Sequence, residues 1–239
     1  MPNPEKRPRA PSPDPRAARR TRSRAPGSPR IRDAARSRAT ILEAATGEFA
    51  AHGLGGARVD EIARRADVNK ALLYHYFGNK EALFLAVLEQ IYARIRGAEA
   101  TLDLETLPPE EAMARLVDFT WRYYLEHPEF IHLVNSENLH RAEHLARSEH
   151  VGSLHHPLVD RIRELLDRGV AAGAFRPGVD PVQLYITIAS LGYFYLSNAH
   201  TLGVVFERDL LSGAELDERC EHIHQVVRGY LRPESSCDD

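Results

Sequence analysis

Residues 58–80, RVDEIARRADVNKALLYHYFGNK, leave the chain little choice of local fold. Val59, Ile62, Ala63 and Ala66 recur three and four apart, so they share one helical face. Asp67-Val68-Asn69 breaks that pattern. Asp and Asn tolerate the left-handed conformation a tight turn needs, and Asn69 is a good N-cap for a second helix. That helix is short and runs from Lys70 to Phe77, with Leu73 and Phe77 facing inward. Gly78 ends it, and Asn79 can cap the next helix. Two short helices about a tight turn, the second carrying small, basic and aromatic side chains, describe a helix-turn-helix.

The apolar periodicity stays helical from Ile31 to Leu231 and strand signals are nearly absent, which predicts an all-α protein. A chain of 239 residues with 43% hydrophobic content suits one core or two small domains. No apolar run approaches the ~20 residues of a membrane span. The basic N-terminus has no apolar stretch of the secretory kind, so a cytoplasmic location is expected. Cys220 and Cys237 lie far from any zinc spacing to each other and read as free thiols. There is no Gly-x-Ser-x-Gly, no phosphate-cradling glycine loop and no H-E-x-x-H. Neither enzyme activity nor a cofactor is expected.

The net charge of −3 conceals an asymmetry. Residues 1–30 carry +7, residues 31–80 carry +2 and residues 81–239 carry −12. Positive charge accompanies the proposed reading head, as expected if one end approaches a polyanion. Residues 1–30 hold eight of the fifteen prolines and few apolar side chains, so they cannot offset their ordering entropy and are read as a disordered basic tail. That tail either adds attraction to phosphates or is only solvated. Residues 31–80 form the helix-turn-helix domain, residues 81–232 a helical regulatory and dimerisation domain, and residues 233–239 a second disordered tail.

Helix by helix, the first runs over residues 31–52, with Ile41, Leu42, Ala45 and Phe49 as its core face and Gly53, Gly55 and Gly56 after it. Arg32, Arg36 and Arg38 either meet a DNA backbone or form a solvated face. A long helix over residues 79–100 carries an apolar stripe from Leu83 to Ile95. A linker ending in Pro108-Pro109 leads to helices over 110–126, 128–135, 157–172, 182–201 and 214–231, with a further helical piece within 136–148.

The quoted residues closely resemble the DNA-binding motif of the tetracycline-repressor (TetR) family. The matches are Ile62-Ala63, Ala66-x-Val68, Leu73-Tyr74-His75-Tyr76-Phe77 and Lys80-Glu81-x-Leu83-Phe84, with Ile41-Leu42-x-Ala44-Ala45 and Phe49-x-x-x-Gly53 upstream. The resemblance covers residues 38–88 and is architectural beyond. The family usually has Gly where this chain has Asp67, and a Ser or Thr cap where it has Ala57-Arg58. Losing that hydroxyl removes about 1 kcal/mol, while Arg58 adds a cation that can reach a phosphate. The resemblance implies phosphate contacts from Tyr74 and Lys80 and places Lys70, Ala71 and His75 toward the major groove. Tyr76 is read as packing against the first helix. The implied protein is a homodimer, joined through its last two helices, that binds a pseudo-palindromic double-stranded operator and answers to a small-molecule effector. Repressor is the leading reading; an activator or an architectural DNA-binding protein without an inducer are the alternatives.

In the regulatory domain, residues 127–148 are polar and resemble the corresponding stretch of regulators similar to the pyrimidine-utilisation repressor. His140 and His144 are four apart, but no carboxylate or Cys completes a metal site there, so no metal is expected. His132 reads as a partly buried, satisfied side chain. Trp121, Tyr124, Asn135, Asn138, Phe194 and Asn198 are the candidate effector-binding residues. Trp121 and Phe194 would supply a stacking wall, and the asparagines donors and acceptors, for a small flat polar molecule.

Overall fold

The computed structural model of the chain describes residues 29–233, with the side chains of residues 29–33 and 153–156 left undescribed. The expected terminal tails lie outside these residues, except for the ends of each that fall at 29–30 and 233. The described residues contain ten α-helices and one short 3-10 turn and no strand. They are α1 (Pro29–Gly56), α2 (Val59–Arg65), α3 (Lys70–Phe77), α4 (Lys80–Glu99), α5 (Pro109–Glu126) and α6 (Pro128–Leu139), then the turn Leu145–Arg147, α7 (Val151–Ala171), α8 (Pro181–Ser197), α9 (Ala199–Phe206) and α10 (Gly213–Leu231). The described residues from Ser37 onward form one compact unit.

Two apolar cores lie within that unit. The first gathers Ile41, Leu42, Ala45 and Phe49 of α1, Ile62 and Ala63 of α2, Leu73 and Phe77 of α3, and the stripe Leu83, Phe84, Val87, Leu88, Ile91 and Ile95 of α4. Tyr123, Tyr124, Phe130, Ile131 and Leu133 from α5 and α6 join it. The second is built from α5, α7, α8 and α10, around Leu116, Val117, Trp121, Ile162, Leu165, Leu184, Ile188, Ile223 and Val227. One helix, α4, therefore serves as floor to the α1–α3 group and as wall to the body.

The link between α4 and α5 is held by α7. Arg161 Nη1 donates to Glu99 O at 2.8 Å and Nη2 to Leu102 O, and one face further along Arg168 Nη1 donates to Leu107 O at 3.1 Å and Nη2 to Leu104 O. Two guanidiniums seven residues apart thus satisfy the carbonyls of a segment that has no secondary structure of its own.

Three boundaries differ from the sequence reading. The helix expected over 182–201 is two helices. Asn198 Nδ2 donates to Phe194 O at 2.8 Å, and its backbone leaves the helical region (φ −113°, ψ 8°). A side chain that occupies its own helix's carbonyl offers the chain an alternative to continuing, and α9 is the result. Helix α7 starts at Val151 rather than at Pro157, which lies inside it. Proline cannot donate to residue 153, but burial of Leu158, Ile162, Leu165 and Leu166 outweighs one lost bond. The segment after α6 is mostly turn, with Arg141 and Ala142 both in the left-handed region (φ 56° and 59°). Glu137, itself buried, organises it by accepting from the amides of His144 and Leu145 at 2.9 Å and pairing with His144 Nδ1 at 2.8 Å. His144 is therefore a structural residue, and His132 is exposed rather than partly buried.

Where the two cores meet, Arg96 and Glu99 are buried and paired at 2.8 Å, and Arg96 Nη2 donates to Tyr185 Oη at 2.8 Å. Burial pushes the Glu99 carboxyl up to about 7, against the pull of Arg96 and Arg161. A raised folded value means the folded state holds that proton more tightly. The resulting stabilisation is complete below the unfolded value of about 4.5 and is lost as pH rises through about 7. Glu99→Gln cannot titrate. The melting temperature of the wild type should therefore fall relative to that of Glu99→Gln between pH 4.5 and 8, and a constant difference would place the charge outside the buried pair.

Candidate functional site

The turn between α2 and α3 forms as the residue types demand. Asp67 takes φ 52°, and Asn69 Oδ1 accepts the Leu72 amide at 2.7 Å. Gly78 (φ 80°) ends α3, and Asn79 Oδ1 caps α4 through the Ala82 amide at 2.7 Å. Leu73 and Phe77 are buried, while Lys70, Ala71, Tyr74 and His75 stand exposed on the opposite face of α3, Tyr74 at 39%. Tyr76 is half-buried against the first core, as expected. Lys80 Nζ lies 3.4 Å from Gly55 O, at the end of α1, and Arg58 is exposed at the start of α2. All six residues singled out for DNA lie on or beside the helix-turn-helix, and Lys70, Ala71, Tyr74 and His75 form one face.

Two cations here are already engaged. Lys70 Nζ pairs with Asp60 Oδ1 at 2.8 Å, which lowers the Asp60 carboxyl and raises the Lys70 amine. Both groups are solvent-exposed, so Lys70 can exchange Asp60 for another partner at small cost. Arg38, itself exposed, lies over the Phe77 ring at 5.2 Å.

No side chain caps α2 at Arg58, but the Arg58 amide itself finds an acceptor outside the helix. Glu48 of α1 is buried at 2% exposure, and its Oε1 accepts the Arg58 amide at 3.0 Å. Its Oε2 lies 3.4 Å from Arg65 Nη2 at the other end of α2. One carboxylate therefore pins both ends of α2 to α1. The sequence reading missed Glu48 because it lies ten positions before the amide it caps, beyond the reach of any local capping pattern. Gly53 (φ 63°) kinks α1 just beyond this point and carries the chain into the turn before α2.

The candidate effector residues are only partly brought together. Trp121 and Tyr124 of α5 are buried against the backbone of α8, where a Cβ at Gly192 would come 3.2 Å from Tyr124 and 3.4 Å from Trp121. Asn135 of α6 accepts from the Tyr193 hydroxyl and donates to Ser197 Oγ at 3.4 Å. Burial raises the Tyr193 phenol, and a hydrogen bond with Asn138 lowers it, which places exposed Asn138 beside the same group. Phe194 does not face Trp121: it is 58% exposed on the outer side of α8, and Tyr195 meets Trp121 instead, edge-on at 6.0 Å. One residue of rotation on a helix is about 100°, and that shift moves Phe194 out of the expected wall. Asn198 is spent on breaking α8. Two described cavities, of about 660 and 670 Å³, are lined by none of the six residues.

A polar cluster that sequence reasoning missed lies beside Tyr124. Tyr92, Tyr124 and Tyr185 neighbour Arg96, and burial raises all three phenols, Tyr92 to about 12, against the opposing charge of Arg96. Arg96 Nε is buried there without a hydrogen-bond partner among the described residues.

Residues 41–87 match the family model described as bacterial regulatory proteins, tetR family, and residues 109–227 match the tetracyclin repressor-like C-terminal domain. The HTH-type transcriptional repressor NicS of Pseudomonas putida is 42% identical over 181 residues, 76% of this chain and 85% of NicS. The chain belongs to the tetracycline-repressor family. The HTH-type transcriptional regulator RutR of Escherichia coli is 28% identical over 204 residues, 85% of this chain and 94% of RutR. A solved tetR-family regulatory protein from Rhodococcus RHA1 has the same fold, with a TM-score of 0.63 at 18% identity over 82% of this chain and 97% of that one. The regulator is thus a helix-turn-helix DNA-binding protein of repressor type, and its family and named relatives are transcriptional regulators, not enzymes. No helix among its described residues is long and apolar enough to cross a membrane.

Removing the Glu48 carboxylate leaves the part-buried Arg58 amide without its acceptor. Loss of a buried acceptor costs about 1–3 kcal/mol. Glu48→Ala should lower the melting temperature of the regulator, and Glu48→Gln, which keeps an acceptor, should lower it less. Equal melting temperatures for all three proteins would remove Glu48 from its capping role.

Proposed function

We propose that the regulator is a homodimeric, effector-responsive repressor whose two copies of α3 enter successive major grooves of a pseudo-palindromic operator. The observation that carries this reading is the exposed face Lys70, Ala71, Tyr74 and His75 on a helix whose other face is locked in the core. Tyr74, Lys80 and Arg58 would hold phosphates and fix register, while Lys70, Ala71 and His75 would reach base edges. Lys80→Ala should weaken binding to all duplexes alike and flatten the salt slope by roughly one unit. Substituting His75 should instead alter sequence preference. Fluorescence anisotropy with operator and random duplexes across a salt series measures both, and an unchanged slope for Lys80→Ala would remove its phosphate role.

The dimer proposal keeps the helices expected from sequence. Val227 of α10 has no part in it: it is 2% exposed and packs in its own chain's core, because that side of α10 faces α5 and α8. The outward apolar residues are Val182, Ile186 and Phe194 of α8, Val204, Val205 and Phe206 of α9, and Tyr230 of α10. Val182, Ile186 and Phe194 fall on one four-residue ridge, a form that packs against a second helix. An obligate interface of this kind buries about 2,000 Å² or more. Ile186→Asp with Phe194→Asp should give folded monomers by sedimentation and circular dichroism, whereas Val227→Asp should unfold the chain. A wild-type monomer at micromolar concentration would overturn both dimer and palindromic operator.

For the effector we propose the interior formed by Trp121, Tyr124, Asn135 and the Arg96–Tyr185 cluster, with Asn138 at its edge. Buried polar atoms without partners support it, because such groups are costly unless a ligand or water satisfies them. A cytoplasmic location accords with this role.

A further inference from the structure

Cys220 and His224 lie four apart on α10, so they project from one face of that helix. Asp118 of α5 sits opposite them. His224 Nε2 is 2.7 Å from Asp118 Oδ1, and Cys220 Sγ is 3.9 Å from the same oxygen. The donor atoms of all three lie within 4.8 Å of one another. A tetrahedral ion holds nitrogen and oxygen at about 2.0–2.2 Å and sulfur at about 2.3 Å, which sets its ligand atoms roughly 3.3–3.8 Å apart. The two spacings to Asp118 Oδ1 bracket that range, and modest side-chain adjustment would bring the three donors to it.

We propose that Asp118, Cys220 and His224 form a binding site for a divalent transition metal of the zinc class. Thiolate, imidazole and carboxylate together select such an ion over magnesium or calcium, which take oxygen donors. One thiolate and one carboxylate balance the charge of a divalent cation with His224 neutral. On binding, the Cys220 proton, and that of His224 if it carries a second, pass to solvent. The site is reachable from both sides: His224 lines the cavity of about 660 Å³ and Asp118 the one of about 670 Å³. Water can therefore fill the fourth position. Arg122 also lines the second cavity and acts on the Cys220 thiol, so its charge opposes the cation and limits affinity. In sequence the pair Cys220-x-x-x-His224 is visible, but the third ligand, 102 positions earlier than Cys220, is supplied only by the packing of α10 on α5.

The test uses the full chain, stripped with a chelator and titrated anaerobically with cobalt(II). One equivalent per chain should bind with a thiolate-to-cobalt charge-transfer band in the near ultraviolet, and zinc should displace it. Cys220→Ser should abolish the band, His224→Ala should weaken binding roughly tenfold or more, and Cys237→Ser should leave it unchanged. Absence of the band in the wild type, or its survival in Cys220→Ser, overturns the site. A second readout covers a Cys220→Ser variant that folds poorly. Zinc should raise the melting temperature of the wild type and not that of Asp118→Asn. Equal shifts in those two proteins overturn the proposal as well.

Discussion

The stripe of buried side chains on α4 is the constraint on which the rest depends. Leu83, Phe84, Val87, Leu88, Ile91 and Ile95 are each at most 3% exposed. Full burial of such a side chain contributes roughly 1.5–3 kcal/mol, so the stripe cannot be lifted from either neighbour at small cost. At its start it closes the core under α1, α2 and α3. Further along it meets Tyr124, Phe130 and Ile131 of α5 and α6. The helix α4 is therefore packing shared between the helix-turn-helix and the body.

A chain of specific contacts runs along that floor. Phe49 of α1 meets Phe84 of α4 edge-on at 5.1 Å, and Phe84 meets the His144 ring at 5.2 Å. His144 is fixed by Glu137, and Ser148 nearby donates to Glu89 of α4 at 2.6 Å. At the other end of α4, Arg96 and Glu99 are tied to Tyr185 of α8 and to Arg161 of α7. The helix is thus anchored by aromatic packing near the DNA-reading end and by buried charge near the body's interior. These contacts give physical continuity between the two ends; coupling between them is a property that ligand-dependent DNA affinity would measure.

Charged side chains wholly or partly withdrawn from water recur in this protein where helix ends or loops lack local partners. Glu48, buried, serves α2; Glu137, buried, serves the turn after α6; and Arg161 and Arg168, half-buried, serve the link from α4 to α5. Each recovers its desolvation cost through hydrogen bonds to the backbone. Breaking one such residue exposes unsatisfied backbone groups, so these positions are sensitive out of proportion to their number.

The sequence by itself determined the helical class, the turn at Asp67, the caps at Asn69 and Asn79, and the exposed face of α3. These are local: each depends on residues within a few positions, where φ preference, hydrogen-bonding side chains and apolar spacing act directly. Tertiary structure alone decided the rest. It turned Phe194 outward, because the aromatic-rich α8 has no single apolar stripe from which its orientation can be read, and it turned Val227 inward, because α10 packs that side on α5 and α8. It divided α8 from α9 through one asparagine's choice of a carbonyl, and it brought Glu48 to Arg58 and Asp118 to Cys220 and His224. Those pairings join residues ten to more than a hundred positions apart, and which helices meet is settled by the packing of whole faces, not by the residues that then find themselves in contact.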